Sequence, residues 1–303
     1  MRTILVALTF LFAAPTYAQD ANAKIDWANE QPTWAAPFEP FNIIGNLYYV
    51  GTEGLAVYLI TGEDGHVLID GGLPGHEQII IDNIAALSFD IKDVKYLFNT
   101  HAHFDHSGGL AKLKEASGAE LWASEGDVSA LEGGFYLGFE DNAAYKAPPV
   151  KVDRVIAKDD PALEGAIVSL TGETVRKPFL KADLTPGHSR GCTSFRLFID
   201  DEEEHLEILI FCSATVAANS LVNPPQYQGI VDDYRLTFEK TKDWTPDIFL
   251  TNHPEAFGMK EARADQLAGN RRAFINRGAF QKYIVEKRNA FEKALSEQTG
   301  GDE

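Results

Sequence analysis

The chain has 303 residues, with 27 Lys and Arg against 45 Asp and Glu, and a net charge of −18. A hydrophobic content of 45% and only two cysteines exclude a disordered, collagenous or disulfide-stapled chain and leave ample material for a core. The acidic balance disfavours nucleic acid and anionic membrane surfaces as partners, because both need a basic footprint.

Met1-Arg2 leads into an apolar run at 3–14, followed by Pro15-Thr16-Tyr17-Ala18-Gln19. One basic residue, a short apolar stretch and a small residue before the cut make 1–18 a cleaved signal peptide, with 19–303 as a single domain. The run falls short of the roughly 20 apolar residues that span a bilayer. The expectation is therefore a soluble monomer exported to the periplasm. Residues 21–40, rich in Pro, Trp and polar side chains, read as an extended N-terminal arm.

Strand-like runs follow at 47–50, 55–60 and 66–70, punctuated by glycines. The spacing at 78–87 predicts an amphipathic helix, and 94–99 a buried strand that runs straight into a His-rich loop. A helix at 108–116 and a short strand at 121–123 come next. Ser124-Glu125-Gly126-Asp127 reads as a capping box opening another helix. The aperiodic, aromatic stretch 133–150 is long enough for either a substrate wall or a packed surface loop.

The second half repeats the plan. Strands are expected at 166–170, 175–184, 193–199 and 206–211, then a helix at 231–242, a buried strand at 247–251 and a helical C-terminus over 265–295. Two sheets covered by helices on their outer faces fit this order. Cys192 and Cys212 lie on two runs joined by an acidic turn, and simple hairpin register would set them opposite one another. Export permits a disulfide, but free cysteine is also a common small core residue, and both remain open.

The chemistry concentrates in Asn99-Thr100-His101-Ala102-His103-Phe104-Asp105-His106. Imidazoles at alternate positions can converge from one loop, and the Asp105-His106 pair adds ligands aimed elsewhere. Neutral imidazole and carboxylate suit Zn²⁺ held with an open position for water. His188, in a Pro/Gly turn, and His253, just past a buried strand, are placed to complete such a site. His66, His76 and His205 read as surface residues.

With Thr185-Pro186-Gly187-His188 and Asn252-His253, this motif resembles the metallo-β-lactamase superfamily, and within it the subclass B3 metallo-β-lactamases. The likeness extends over nearly all of the chain after 1–18, including Leu68-Ile69-Asp70-Gly71-Gly72 and Asp232-Asp233-Tyr234-Arg235. It implies an α/β fold, an αβ/βα four-layer sandwich with the metals at one edge. It implies two zinc ions, one on His101, His103 and His188, the other on Asp105, His106 and His253. Asp70 would orient the His loop by hydrogen bonds. Asp105 would be the catalytic residue, orienting the zinc-activated water that attacks the β-lactam carbonyl.

Relatives such as thioesterases, lactonases and nucleases usually place a metal-bridging Asp where this chain has Phe211-Cys212-Ser213-Ala214-Thr215. That absence favours a zinc-dependent β-lactamase conferring antibiotic resistance, with a small-molecule β-lactam as its partner. Ser213 and Thr215 would then meet the substrate carboxylate. Another exported hydrolase of this fold, such as a lactonase, is the alternative, and a non-catalytic zinc-binding protein a third. Arg190 and Phe195 depart from the family pattern, where Pro and Trp are common, and 163–181 is unusual.

Overall fold

The alternation of side chains along the central strands decides the architecture. The computed structural model describes residues 24–157, 180–200 and 204–300. On β3 (Tyr58–Ile60) and β4 (His66–Ile69), Tyr58, Ile60, Val67 and Ile69 join one core, while Leu59 and Leu68 join another. Successive side chains on a strand face opposite ways, so strands apolar on both faces must be covered on both.

These strands sit inside a seven-stranded sheet with β1 (Phe41–Ile44), β2 (Leu47–Tyr49), β5 (Val94–Phe98), β6 (Glu120–Ser124) and β7 (Arg154–Ile156), ordered β1 to β7. Pairing is antiparallel from β1 to β4 and parallel from β4 to β7. The second sheet has the order β11-β10-β9-β8, where β8 is Leu180–Leu184, β9 Thr193–Asp200, β10 His205–Phe211 and β11 Ile248–Thr251. Phe98 on β5 meets Phe195 on β9 edge-on at 5.4 Å, so the two sheets pack face to face.

Helices cover the outer faces. On the first sheet, α3 (Glu77–Ala86) and α5 (Leu110–Ser117) bury Ile80, Ile84, Leu110 and Leu113 against Leu68, Leu97 and Leu121. On the second, α9 (Ala279–Gln298) brings Phe280 and Tyr283 onto Phe211 and Phe249, and its Phe291 stacks on Tyr234 of α7 (Ile230–Thr241) in the same core. Each such buried side chain contributes about 1.5–3 kcal/mol. The result is the expected helix–sheet–sheet–helix sandwich. The chain leaves β4, β5, β10 and β11 at one common edge, through Asp70, the His loop, Ser213 and His253. Among the described residues, no helix is long and apolar enough to cross a membrane.

Several expectations are corrected. The arm is not extended throughout: α1 (Trp27–Glu30) and α2 (Pro32–Ala35) are helical turns, the second started by Pro32 at its first position. The hairpin register differs by one residue, His205 pairing with Asp200, so the cysteines are not directly opposite. They nevertheless form a disulfide, with Cα atoms 5.8 Å apart, bridging from just before β9 to just after β10.

The C-terminal helix is two helices, α8 (Met259–Leu267) and α9. The interruption is used: the Asn276 side chain accepts from Phe249 N at 2.7 Å and donates to Phe249 O at 3.0 Å, capping the free edge of β11. Strands β1 and β7 were not expected. The signal peptide 1–18, the strand at 166–170, most of 163–181 and the first half of 175–184 lie outside the described residues, and the second half of that expected strand is β8.

Candidate metal centre

The His loop is held by its backbone before any ligand is considered. Asp70, just past β4, stands at φ 68, a conformation that costs a non-glycine residue about 1–3 kcal/mol. Its Oδ1 accepts from Thr100 N at 2.7 Å and Asn99 Nδ2 at 2.9 Å, and its Oδ2 from Thr100 Oγ1 at 2.8 Å. Burial pushes its carboxyl up to about 6. Thr100 gives its hydroxyl proton to Asp70, so its oxygen accepts from His101 Nδ1 at 3.1 Å. That chain fixes the tautomer of His101 and leaves Nε2 with a free lone pair.

His188 is fixed in the same way. Its Nδ1 lies 2.8 Å from the Thr215 carbonyl, which can only accept, so Nδ1 carries the proton and Nε2 the lone pair. The Tyr234 hydroxyl donates to the same carbonyl at 2.6 Å, and Asn219 Nδ2 donates to the His188 carbonyl at 2.9 Å. The two Nε2 atoms then face each other at 3.1 Å. Two buried lone pairs at that distance repel unless a cation lies between them. Donors about 2.0–2.1 Å from a tetrahedral Zn²⁺ sit about 3.3 Å apart, so the pair has the span of one edge of such a site. His103 completes this cluster, in which all three imidazoles are buried. Burial holds His101 and His103 well below the ordinary histidine range and His188 at about 4, so all three are neutral, as metal ligation requires.

Beside it, Asp105 and His106, on the one-turn helix α4 (Phe104–Ser107) that follows His103, form a second cluster with His253. Asp105 Oδ2 lies 3.1 Å from His106 Nε2 and 3.4 Å from His253 Nε2, and the two imidazole nitrogens are 3.2 Å apart. Burial alone would raise Asp105, but His106 and His253 outweigh it and hold the carboxyl well below its usual range. Conversely, Asp105 overcomes the burial of His106 and raises it. The rings of His101 and His106 are 4.5 Å apart, so the clusters adjoin. The structure thus brings all six sequence-expected ligands together in two groups of three.

Aromatic side chains wall the centre. Tyr136 stacks on His103 at 3.9 Å, and its hydroxyl donates to Asn219 Oδ1 at 2.9 Å. On the other side Trp34 lies 5.5 Å from His253, and Trp27 stacks on both Trp34 and Phe104. The aperiodic stretch 133–150 is therefore partly a wall of the centre, through Tyr136, and partly packing, through Phe139 and Tyr145. Ser213 is buried, its Oγ accepting from Thr215 N at 3.2 Å, while Thr215 is half-buried beside His188.

A family model described as the metallo-β-lactamase superfamily matches residues 51–201. The solved structure of BJP-1, a subclass B3 metallo-β-lactamase of Bradyrhizobium japonicum, is 46% identical, with a TM-score of 0.81, and the likeness covers 88% of this chain and 97% of that one. The chain belongs to the metallo-β-lactamase superfamily. The FEZ-1 metallo-β-lactamase from Legionella gormanii is 31% identical over 98% of its own length, with a TM-score of 0.80 and 88% of this chain covered. The N-acyl homoserine lactonase AttM of Rhizobium johnstonii is 32% identical, over 20% of this chain and 31% of that enzyme. The chain thus matches about a third of the length of these curated lactonases.

Sequence reasoning about this superfamily member missed Asp127. The expected capping box does not form, because the turn at Glu125–Asp127 is a tight 3-10 turn in which Ser124 Oγ accepts from Gly126 N at 3.3 Å. The Asp127 carboxylate points away from its own helix, α6 (Val128–Gly133), and into the centre's loops. Asn219, Asn252 and Tyr234 were also unassigned. Each meets the centre through a contact at least 19 residues away in sequence, which no local pattern records.

Proposed function

We propose that this superfamily hydrolase is a zinc-dependent β-lactamase with two metal ions, one on His101, His103 and His188 and one on Asp105, His106 and His253. The observation that carries the proposal is the likeness to BJP-1, which is 46% identical across 97% of that chain, whereas the lactonase likeness covers only 31% of its enzyme. The segment Phe211-Cys212-Ser213-Ala214-Thr215, which contacts His101 and His188, also supports it, since it carries no acid that could bridge two ions.

Bound zinc supplies a Lewis acid and a water acidified to near neutral pH. The chain's residues do the rest. Asp105 stays ionised and can orient a proton of the attacking water. The buried neutral imidazoles exclude bulk solvent on one side, and Tyr136 and Trp34 bound the open side. Thr215 Oγ1 and, behind it, Ser213 Oγ are the hydroxyls that would meet a substrate carboxylate. The metals would also offset the acidic net charge locally and let an anion approach. The corresponding cellular proposal is export through 1–18, followed by monomeric action in the periplasm and antibiotic resistance.

The test is hydrolysis of a carbapenem and a cephalosporin by purified protein, with and without a zinc chelator, beside an acyl homoserine lactone. Rapid β-lactam opening that is lost on chelation and restored by zinc is expected. Lactone turnover without β-lactam turnover would move the chain to the lactonase reading, which the AttM likeness favours.

A further inference from the structure

Three separate loops meet at one carboxylate that ligates nothing. Asp127 is buried, and its Oδ2 accepts from Ala102 N at 3.0 Å and from Ser189 Oγ at 2.9 Å, while Oδ1 accepts from Gly191 N at 2.9 Å. Ala102 separates His101 from His103, and Ser189 follows His188. The carboxylate therefore bridges the two chain segments that supply all three histidines of one cluster. It touches no residue of the Asp105, His106 and His253 cluster through any of these bonds.

The surrounding backbone is shaped for this approach. A Cβ on Gly191 would lie 2.5 Å from Asp127 Cγ, and one on Gly126 would lie 2.6 Å from the Arg190 carbonyl oxygen. Both contacts are closer than real Cβ atoms tolerate, so glycine at each position lets the 125–127 turn press against the His188 loop.

We infer that Asp127 is a positioning residue, which sets the spacing between the His101–His103 loop and the His188 loop and so the affinity of the three-histidine cluster for its metal. The inference rests on the proposal that this cluster binds zinc. Three donors converge on two oxygens, so a carboxylate is the group that satisfies them all. An amide would turn a donor toward one of them and force the loops apart.

Zinc affinity tests this in the full-length chain, by competition with a chromophoric chelator. H253A isolates the three-histidine cluster, and H188A isolates the other. D127N is expected to weaken zinc binding about 10–100-fold in the H253A background and to change it by less than about threefold in the H188A background. S189A, which removes one of the three bonds and keeps the carboxylate, is expected to give a smaller loss in the same background. It keeps the test decisive if D127N does not fold. D247N is the control, since Asp247 accepts from Glu207 N at 2.9 Å at the far end of β11. It should lower the melting temperature without moving either affinity. Equal weakening in both backgrounds, no weakening in either, or an equal effect of D247N would overturn the inference. An H253A chain that binds no zinc would overturn the zinc proposal, and this inference with it; a chain that binds zinc but opens no β-lactam leaves the inference standing if the D127N pattern holds.

Discussion

The two ligand clusters differ in how they are built. The three-histidine cluster is closed: its ligands are buried, and each Nδ1 for which a partner is described is tied to protein. Behind it lies the disulfide, with Cys212 Sγ 3.5 Å from His101 Nδ1. The other cluster is looser. The side chain of His253 is 29% exposed, and His106 Nδ1 is buried with no hydrogen-bond partner among the described residues. Its outer support is an aromatic ring, Trp34, rather than a hydrogen-bond network. Dense second contacts hold ligands in register before metal arrives, so under the two-zinc proposal the first cluster would bind its ion more tightly and the second would exchange more readily.

The contrast can be broken most directly by H101A. It removes a buried ligand whose other nitrogen is already fixed, and kcat/KM for a carbapenem should fall by at least about 10³-fold. Zinc analysis of the purified variant should show one equivalent lost. D105N keeps the shape but removes the charge that holds the second cluster together. Its second zinc should bind about 10–100-fold more weakly, as read by chelator competition, while the first equivalent stays. Retention of both equivalents at wild-type affinity would contradict the assignment of Asp105.

The double variant C192S/C212S should lose about 2–4 kcal/mol of stability in denaturant titration. Because the sulfur backs His101, it should also weaken the three-histidine cluster more than its neighbour. W34A probes the looser side. Losing one aromatic contact worth about 0.5–1.5 kcal/mol should weaken the second zinc by about two- to tenfold and leave the first unchanged. An unchanged second affinity would show that the arm covers the centre without supporting it.

The smallest effect belongs to D153N, remote from both clusters. Burial raises Asp153, but Lys114 and the Leu121 N–H outweigh it and hold the carboxyl below its usual range. Its depressed folded value means the folded state binds fewer protons. Its stabilisation is therefore present above the unfolded value, near 3.9, and lost as pH falls through the folded one. Wild type should exceed D153N by at most about 1 kcal/mol at pH 7, converging as pH falls below the folded value, with zinc affinity unmoved.

Much of the centre is legible locally. His101 and His103, on the loop directly after a buried strand, and Asp105 and His106, on the helical turn that follows it, fall within six residues of one another, so the motif stands out locally. His188 and His253 stand out because each follows turn or strand signals that bring it to an edge. The elements that escaped have other causes. β1 and β7 are short strands whose existence depends on a neighbour to pair with, and the arm's helical turns depend on Trp27 and Trp34 finding Phe104.

The sequence by itself supplied the alternation that makes two sheets and the local His motif, while its family resemblance implied the six candidate ligands and the missing bridging acid, because residue type and short spacing carry such patterns. Only the tertiary structure decided that the cysteines bridge across a shifted register, that the arm walls the second cluster, and that Asp127 ties the metal loops. Its three partners lie 25, 62 and 64 residues away. A hydrogen bond depends on where the folded chain places its two groups, and at such separations that placement is set by the packing of the sheets rather than by the residues between them.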